Sequence, residues 1–226
     1  MAQISLARKK ELQEPDEIEV FLKNLLEKSL QYKKELTIGL VVLFSGVLLV
    51  SGLFYHHRAK ETKASLMLAK LVSKYDAAQT SNSISDELMN NFKDFLETYS
   101  GTSAADFATI RYGNICYRQG KFDDAVSLYK DVLSEFKHDS IMKNIITSNL
   151  AYAYNEKQDY DNARKYFEEI AVEENALLKA DALFNLGLIY AHMNDNAKSK
   201  ESFEKIASFA KGSPYLDIVK EKLGKQ

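Results

Sequence analysis

The chain has no tryptophan, a single cysteine (Cys116), two prolines and nine glycines among its 226 residues. One cysteine rules out an intramolecular disulfide and argues against a cysteine metal cluster. So few helix breakers beside abundant Ala, Leu, Glu and Lys point to a helical protein. Net charge is −2 with both signs mixed, which leaves no basic footprint for nucleic acid. The four histidines include no pair with metal-ligand spacing. There is no glycine-rich phosphate loop and no nucleophile elbow. The expectation is therefore a non-enzyme with no catalytic residues, cofactor or metal.

Leu36 to Tyr55 (LTIGLVVLFSGVLLVSGLFY) holds twenty residues without Asp, Glu, Lys, Arg or His. At about 1.5 Å per residue it extends roughly 30 Å as a helix, the thickness of a bilayer's hydrocarbon core. We read it as a single transmembrane helix; the alternative is a buried core helix. Its length and the 35 residues before it disfavour a cleaved signal peptide. Lysines flank both ends (Lys23, Lys28, Lys33 and Lys34 before; Lys60, Lys63, Lys70 and Lys74, with Arg58, after), so the positive-inside rule does not choose an orientation. The chain thus divides into an N-terminal segment over 1–35, the span over 36–55 and a helical domain over 56–226.

Residues 1–14 read as polar and poorly ordered. From Pro15 onward, Ile18, Phe21, Leu22, Leu25 and Ser29, widened by Leu26 and Leu30, mark an amphipathic helix. It could lie on the membrane surface or dock a partner. Beyond the span, 57–75 reads as a helix, 77–85 as a loop, and Ser85-Asp86-Glu87 as the start of a second helix ending near Ser100-Gly101. Together these form an expected antiparallel hairpin.

From there the chain repeats itself. YGNICYRQGKFDDAVSLYKDVL (112–133), LAYAYNEKQDYDNARKYFEEIA (150–171) and LGLIYAHMNDNAKSKESFEKIA (186–207) align without gaps, 38 and then 36 residues apart. This period means stacked helical hairpins. The small residues Gly113, Ala151 and Gly187 on the first helix, Ala125, Ala163 and Ser199 on the second, and the aromatics Tyr129, Phe167 and Phe203 resemble the tetratricopeptide (TPR) pattern. The third copy departs at its turn, with Asn196 where the others have Phe122 and Tyr160. Cys116 falls where Tyr154 and Tyr190 stand in the later copies and reads as a buried small apolar residue. Ser213-Pro214 then opens a terminal capping helix. The fold expectation is all-α: one transmembrane helix followed by a TPR-like α-solenoid.

The resemblance implies a protein-binding groove along the first helices of the repeats. By register it takes Ile110, Arg111, Asn114, Tyr117 and Arg118 from the first copy, Asn149, Tyr152 and Asn155 from the second, and Phe184, Asn185 and Leu188 from the third. Tyr117 and Tyr152 are expected to point into one concavity without supporting hairpin packing. TPR proteins that grip a C-terminal carboxylate use a basic clamp. Here Asn114 and Asn149 fit that clamp, but Ile110, Asp181 and Asn185 stand where its Lys and Arg residues would be. A carboxylate clamp is therefore not expected.

The whole layout, with DEIEVFLKNLLEKSLQYKKE, one anchor, an ASLMLAKL helix and a TPR-like domain, resembles the YfgM-type family. That resemblance implies an ancillary subunit of the Sec translocon in the bacterial inner membrane. It would be single-pass, with a cytoplasmic N-terminus and a periplasmic TPR domain. Its implied partners are the translocon, a periplasmic chaperone and secreted clients. The competing function is a scaffold that assembles an envelope complex around one fixed partner.

Overall fold

In a computed structural model, residues 17–80, 85–172, 178–209 and 214–224 are described. The readings for residues 1–14 and for the cap Ser213 lie outside them, as do residues 81–84 of the expected 77–85 loop. The described residues form ten α-helices and no strand. They are α1 (Glu17–Gln31), α2 (Lys33–Thr80), α3 (Asp86–Thr98), α4 (Ser103–Arg118), α5 (Phe122–Leu133), α6 (Ser140–Glu156), α7 (Tyr160–Ala171), α8 (Lys179–His192), α9 (Asn196–Phe209) and α10 (Leu216–Gly224). The chain divides into two compact units, Met1–Ala59 and Lys60–Gln226.

In the first unit, the apolar residues of α1, from Ile18 to Leu30, are all exposed, and so are those of α2 up to Tyr55. The α2 segment is the one helix among the described residues that is long and apolar enough to cross a membrane. None of its apolar stretch is buried.

The sequence reading placed a helix boundary after the span and a loop from residue 77. The structure instead has one helix from Lys33 to Thr80. Nothing between Tyr55 and Thr80 interrupts it: this stretch has no Gly or Pro and is rich in Ala, Lys and Leu.

The second unit is a stack of four hairpins and a final helix. Its first hairpin pairs residues 60–80 of α2 with α3, and the two run antiparallel. Lys60 Nζ donates to the Ser100 carbonyl at 2.8 Å, while Tyr75 meets Phe92 edge to face 6.4 Å away. Ser85 caps α3 by accepting from the Leu88 N–H at 3.2 Å, where the sequence placed the helix start. Thr102, Asp139 and Asp159 do the same for α4, α6 and α7.

The remaining hairpins are α4–α5, α6–α7 and α8–α9, in the register the repeats predict. Ala125, Ala163 and Ser199 are wholly buried, as are Phe167 and, nearly so, Tyr129 and Phe203. A Cβ on Gly113 would lie 2.7 Å from the Tyr129 ring, and one on Gly187 only 2.5 Å from the Phe203 ring. Those glycines are required because an aromatic ring sits directly on the helix backbone. Ser199 replaces alanine in the third copy and donates its hydroxyl to the Gly187 carbonyl at 2.8 Å, so its polar atom is satisfied in the core.

Each turn within a repeat is built alike. Gly120, Gln158 and Asn194 take φ values of 74°, 61° and 62°, the left-handed conformation. The next N–H then bonds back to the carbonyl of Cys116, Tyr154 and Tyr190, at 2.9, 3.0 and 2.8 Å. The third copy keeps this geometry despite Asn196. Finally α10 packs on α9 and buries Val219, closing the C-terminal end of the stack.

Candidate partner-binding groove

The first helices of the first two hairpins, α2 and α4, are joined by polar contacts at both ends. Glu61 accepts from the N–H groups of Ser103 (3.0 Å) and Ala104 (3.2 Å), placing a carboxylate at the N-terminus of α4. At the other end, Arg118 Nη1 approaches the Tyr75 hydroxyl at 3.4 Å. Between α2, α4, α5 and α6 opens a cavity of 450 Å³ lined by Tyr75, Arg111, Asn114, Tyr117, Arg118, Tyr129, Asn149 and Tyr152.

Six of the eleven residues assigned from sequence line this one cavity: Arg111, Asn114, Tyr117, Arg118, Asn149 and Tyr152. Tyr75 and Tyr129 join them unforeseen. Asn114 Oδ1 is the hinge of the floor, accepting from the Tyr129 hydroxyl at 2.6 Å and from Asn149 Nδ2 at 3.2 Å. Burial, ahead of any neighbouring group, pushes the Tyr129 hydroxyl well above its ordinary ionisation range. It therefore acts as a neutral donor. Arg111 and Arg118 stand exposed at the rim as the cavity's cations.

The other five sit elsewhere. Ile110 is buried in the core at 6% exposure, so its assignment to the groove was wrong. An apolar branched side chain beside the groove gains more from the packed interior than from the open surface. Asn155 is half-buried outside the cavity lining, and Leu188 is exposed on α8. Phe184 stacks on Tyr215 at 4.5 Å. Asn185 donates to the Tyr152 hydroxyl at 2.9 Å.

That last bond belongs to a network the sequence reading missed. Tyr152 donates to both carboxylate oxygens of Asp181 at 2.7 Å, and Tyr215, just before α10, donates to the same carboxylate. Tyr152 also sets its ring edge-on to Phe167 at 5.2 Å, and Tyr117 meets Phe122 at 5.6 Å. Both tyrosines therefore support hairpin packing, contrary to expectation. The signal available in sequence was Asp181 itself, an acid where a binding groove of the clamp type has a base.

The tyrosines carry a pH dependence. The hydrogen bond to Asp181, then burial, pushes Tyr215 up to about 12. Burial, then the bond to Glu168, raises Tyr190 to about 12. An unfolded tyrosine ionises near 10. The stabilisation is thus complete below pH 10 and lost as pH rises from 10 to about 12. Unfolding of the full chain in detergent should show a flat stability below pH 10 and a fall above it. Tyrosinate absorbance in the folded protein should appear partly late. A single ionisation step at pH 10 would contradict the bonding described.

Among the described residues, no three His, Cys, Asp or Glu side chains gather as a metal would require. Cys116 is fully buried, and burial raises its thiol above the ordinary range, away from the reactive thiolate.

No curated relative matches the chain. The crystal structure of a tetratricopeptide repeat protein from Parabacteroides merdae ATCC 43184 superposes with a TM-score of 0.59 at 19% identity, covering 71% of this chain and 60% of that one. The chain thus matches only part of that protein's length, and the likeness is one of fold. BtubC (BKLC) from P. vanneervenii overlaps more loosely, with a TM-score of 0.48 at 17% identity over 57% of this chain and 59% of its own. Residues 30–225 match the model of the tetratricopeptide repeat-like domain. With that match over most of its length, the chain belongs to the tetratricopeptide repeat-like domain family.

Proposed function

We propose that this protein is a membrane-anchored adaptor whose α4–α6 groove holds a segment of another protein. Domains of this family act in protein–protein interaction and are typically scaffolds rather than enzymes. The observation that carries the proposal is the 450 Å³ cavity, where two exposed arginines stand over a floor of amide and hydroxyl groups. Such a surface offers charge-assisted bonds to a partner's carboxylates and neutral bonds to its backbone. The anchor is Leu36–Tyr55, whose apolar residues are all open to their surroundings.

In the finer reading the adaptor is an ancillary subunit of the Sec translocon in the bacterial inner membrane. Its N-terminus is cytoplasmic, its repeats are periplasmic, and it handles secreted chains in a chaperone-like way beside a periplasmic chaperone. The YfgM-type layout supports this. The second reading, a scaffold for one fixed partner, draws on a specific observation. Asn114 is bonded to Tyr129 and Asn149, and Tyr152 separately to Asp181 and Asn185, so part of the groove is preset rather than adaptable.

A topology reporter pair fused after Gln226 tests the orientation. The periplasm-dependent reporter should be active and the cytoplasm-dependent one silent; the opposite pattern would end the translocon reading.

A further inference from the structure

The two ends of the repeat stack differ. At the C-terminal end α10 covers the last hairpin. At the N-terminal end the first hairpin leaves an open cleft of 360 Å³ between α2 and α3. Met67 and Leu71 from α2 and Phe95 from α3, with Tyr99 just after it, give it an apolar floor. Lys70 and Lys74 form one wall, and Asn91, Asp94 and Thr98 the other. The cleft faces away from the next hairpin. Phe92 on the other side of α3 stacks on Tyr112 of α4, and Met89 meets Lys121. Met67 is 45% exposed and its neighbour Leu66 65%.

Every later hairpin in the stack presents this kind of face to a neighbouring helix, which buries it. Within Lys60–Gln226 the first hairpin has no preceding hairpin to present it to. Repeat stacks need a polar or covered end, and here polar walls leave an apolar floor between them. The cleft is also charged asymmetrically. Lys70 and Lys74, one turn apart, have no carboxylate partner among the described residues, and Lys63 extends the same side of α2. Asp94 alone opposes them.

We propose that this cleft is a second docking surface, distinct from the α4–α6 groove, and that it takes an amphipathic helix of a partner protein. That helix carries an apolar ridge flanked by carboxylates. Three features select this occupant. The cleft lies between two helices, so a third helix packs into it as the stack's other helices pack on each other. Residues 67–74 set its length at roughly 10 Å, matching about two turns of a guest helix. The unpaired lysines favour acidic flanks over basic ones. A bilayer surface fits less well, because Leu71, Phe95 and Tyr99 are recessed between the helices where a flat surface does not reach.

The test uses the full chain in nanodiscs of uncharged phosphatidylcholine. Two fluorescent 18-residue helical peptides serve as probes, each with the same leucine ridge, one flanked by Glu and one by Lys. Anisotropy at low salt should give the Glu peptide about tenfold tighter binding. Lys70→Glu with Lys74→Glu should reverse that order. Asp94→Lys should tighten the Glu peptide further, and Met67→Asp should weaken both peptides by about tenfold. All four positions are exposed or at the rim, and circular dichroism should confirm that each variant folds. Glu-peptide binding unchanged by the lysine reversals or by Met67→Asp would overturn the proposal. So would Lys70 and Lys74 retaining anionic phosphatidylglycerol vesicles while neither peptide binds.

Discussion

Phe203→Ala should destabilise the repeat unit by about 3–5 kcal/mol, the range for removing a fully buried aromatic. Its ring is 1% exposed and lies against the backbone of α8 at Gly187, 2.5 Å from where a Cβ would be. Gly187→Ala alone should also destabilise, by about 1–2 kcal/mol. The overpacking cost of roughly 1–3 kcal/mol exceeds the helix-propensity gain of about 1 kcal/mol. In the Phe203→Ala background the ring is gone, so the same glycine change should become neutral or stabilising. Urea denaturation of the four proteins measures this sign change. A Gly187→Ala effect that stays destabilising and equal in both backgrounds would mean that α8 and α9 are not packed in the register described.

The second large effect concerns the proposed anchor. Leu43 and Leu49 lie near the middle of the apolar stretch and are 65% and 69% exposed. Arginine at the centre of a membrane helix costs about 2.5–3.5 kcal/mol by insertion, so Leu43→Arg with Leu49→Arg should cost about 5–7 kcal/mol. Wild-type protein should resist extraction of membranes with alkaline carbonate. The double variant should appear in the soluble fraction with its helical signal and repeat-unit stability unchanged. A variant that stays in the membrane would contradict the anchoring role of Leu36–Tyr55. One that loses the fold would show that this stretch is core.

The repeat register was legible because it rests on local sterics. A small residue facing an aromatic sixteen positions later, as in Gly113 with Tyr129 or Gly187 with Phe203, leaves a pattern that survives even a degenerate turn. Caps such as Ser85 were legible for the same reason, since the bond they make closes within three residues. The end of α2 was not: no residue in its sequence forbids a helix beyond Tyr55 or through Ala77-Ala78, and propensity alone does not say where a permitted helix stops. Groove residues were legible as positions on helix faces but not as contacts. Ile110 and Tyr117 lie on neighbouring parts of α4, and only the approach of other helices decides which is buried. The Asp181 network joins α6, α8 and Tyr215, residues up to 63 apart in sequence, and no local pattern announces such a meeting.

The central claim is that the α4–α6 groove holds another protein. A photo-crosslinking amino acid placed at Arg111 addresses the groove, and one at Lys165 on α7, outside the cavity lining, serves as control. Each full-length variant is expressed in cells, irradiated and analysed by mass spectrometry. The Arg111 position should capture protein partners that Lys165 does not: many secreted chains if the groove handles clients, one recurrent chain if it serves a fixed complex. Capture at Arg111 no greater than at Lys165 would contradict the claim.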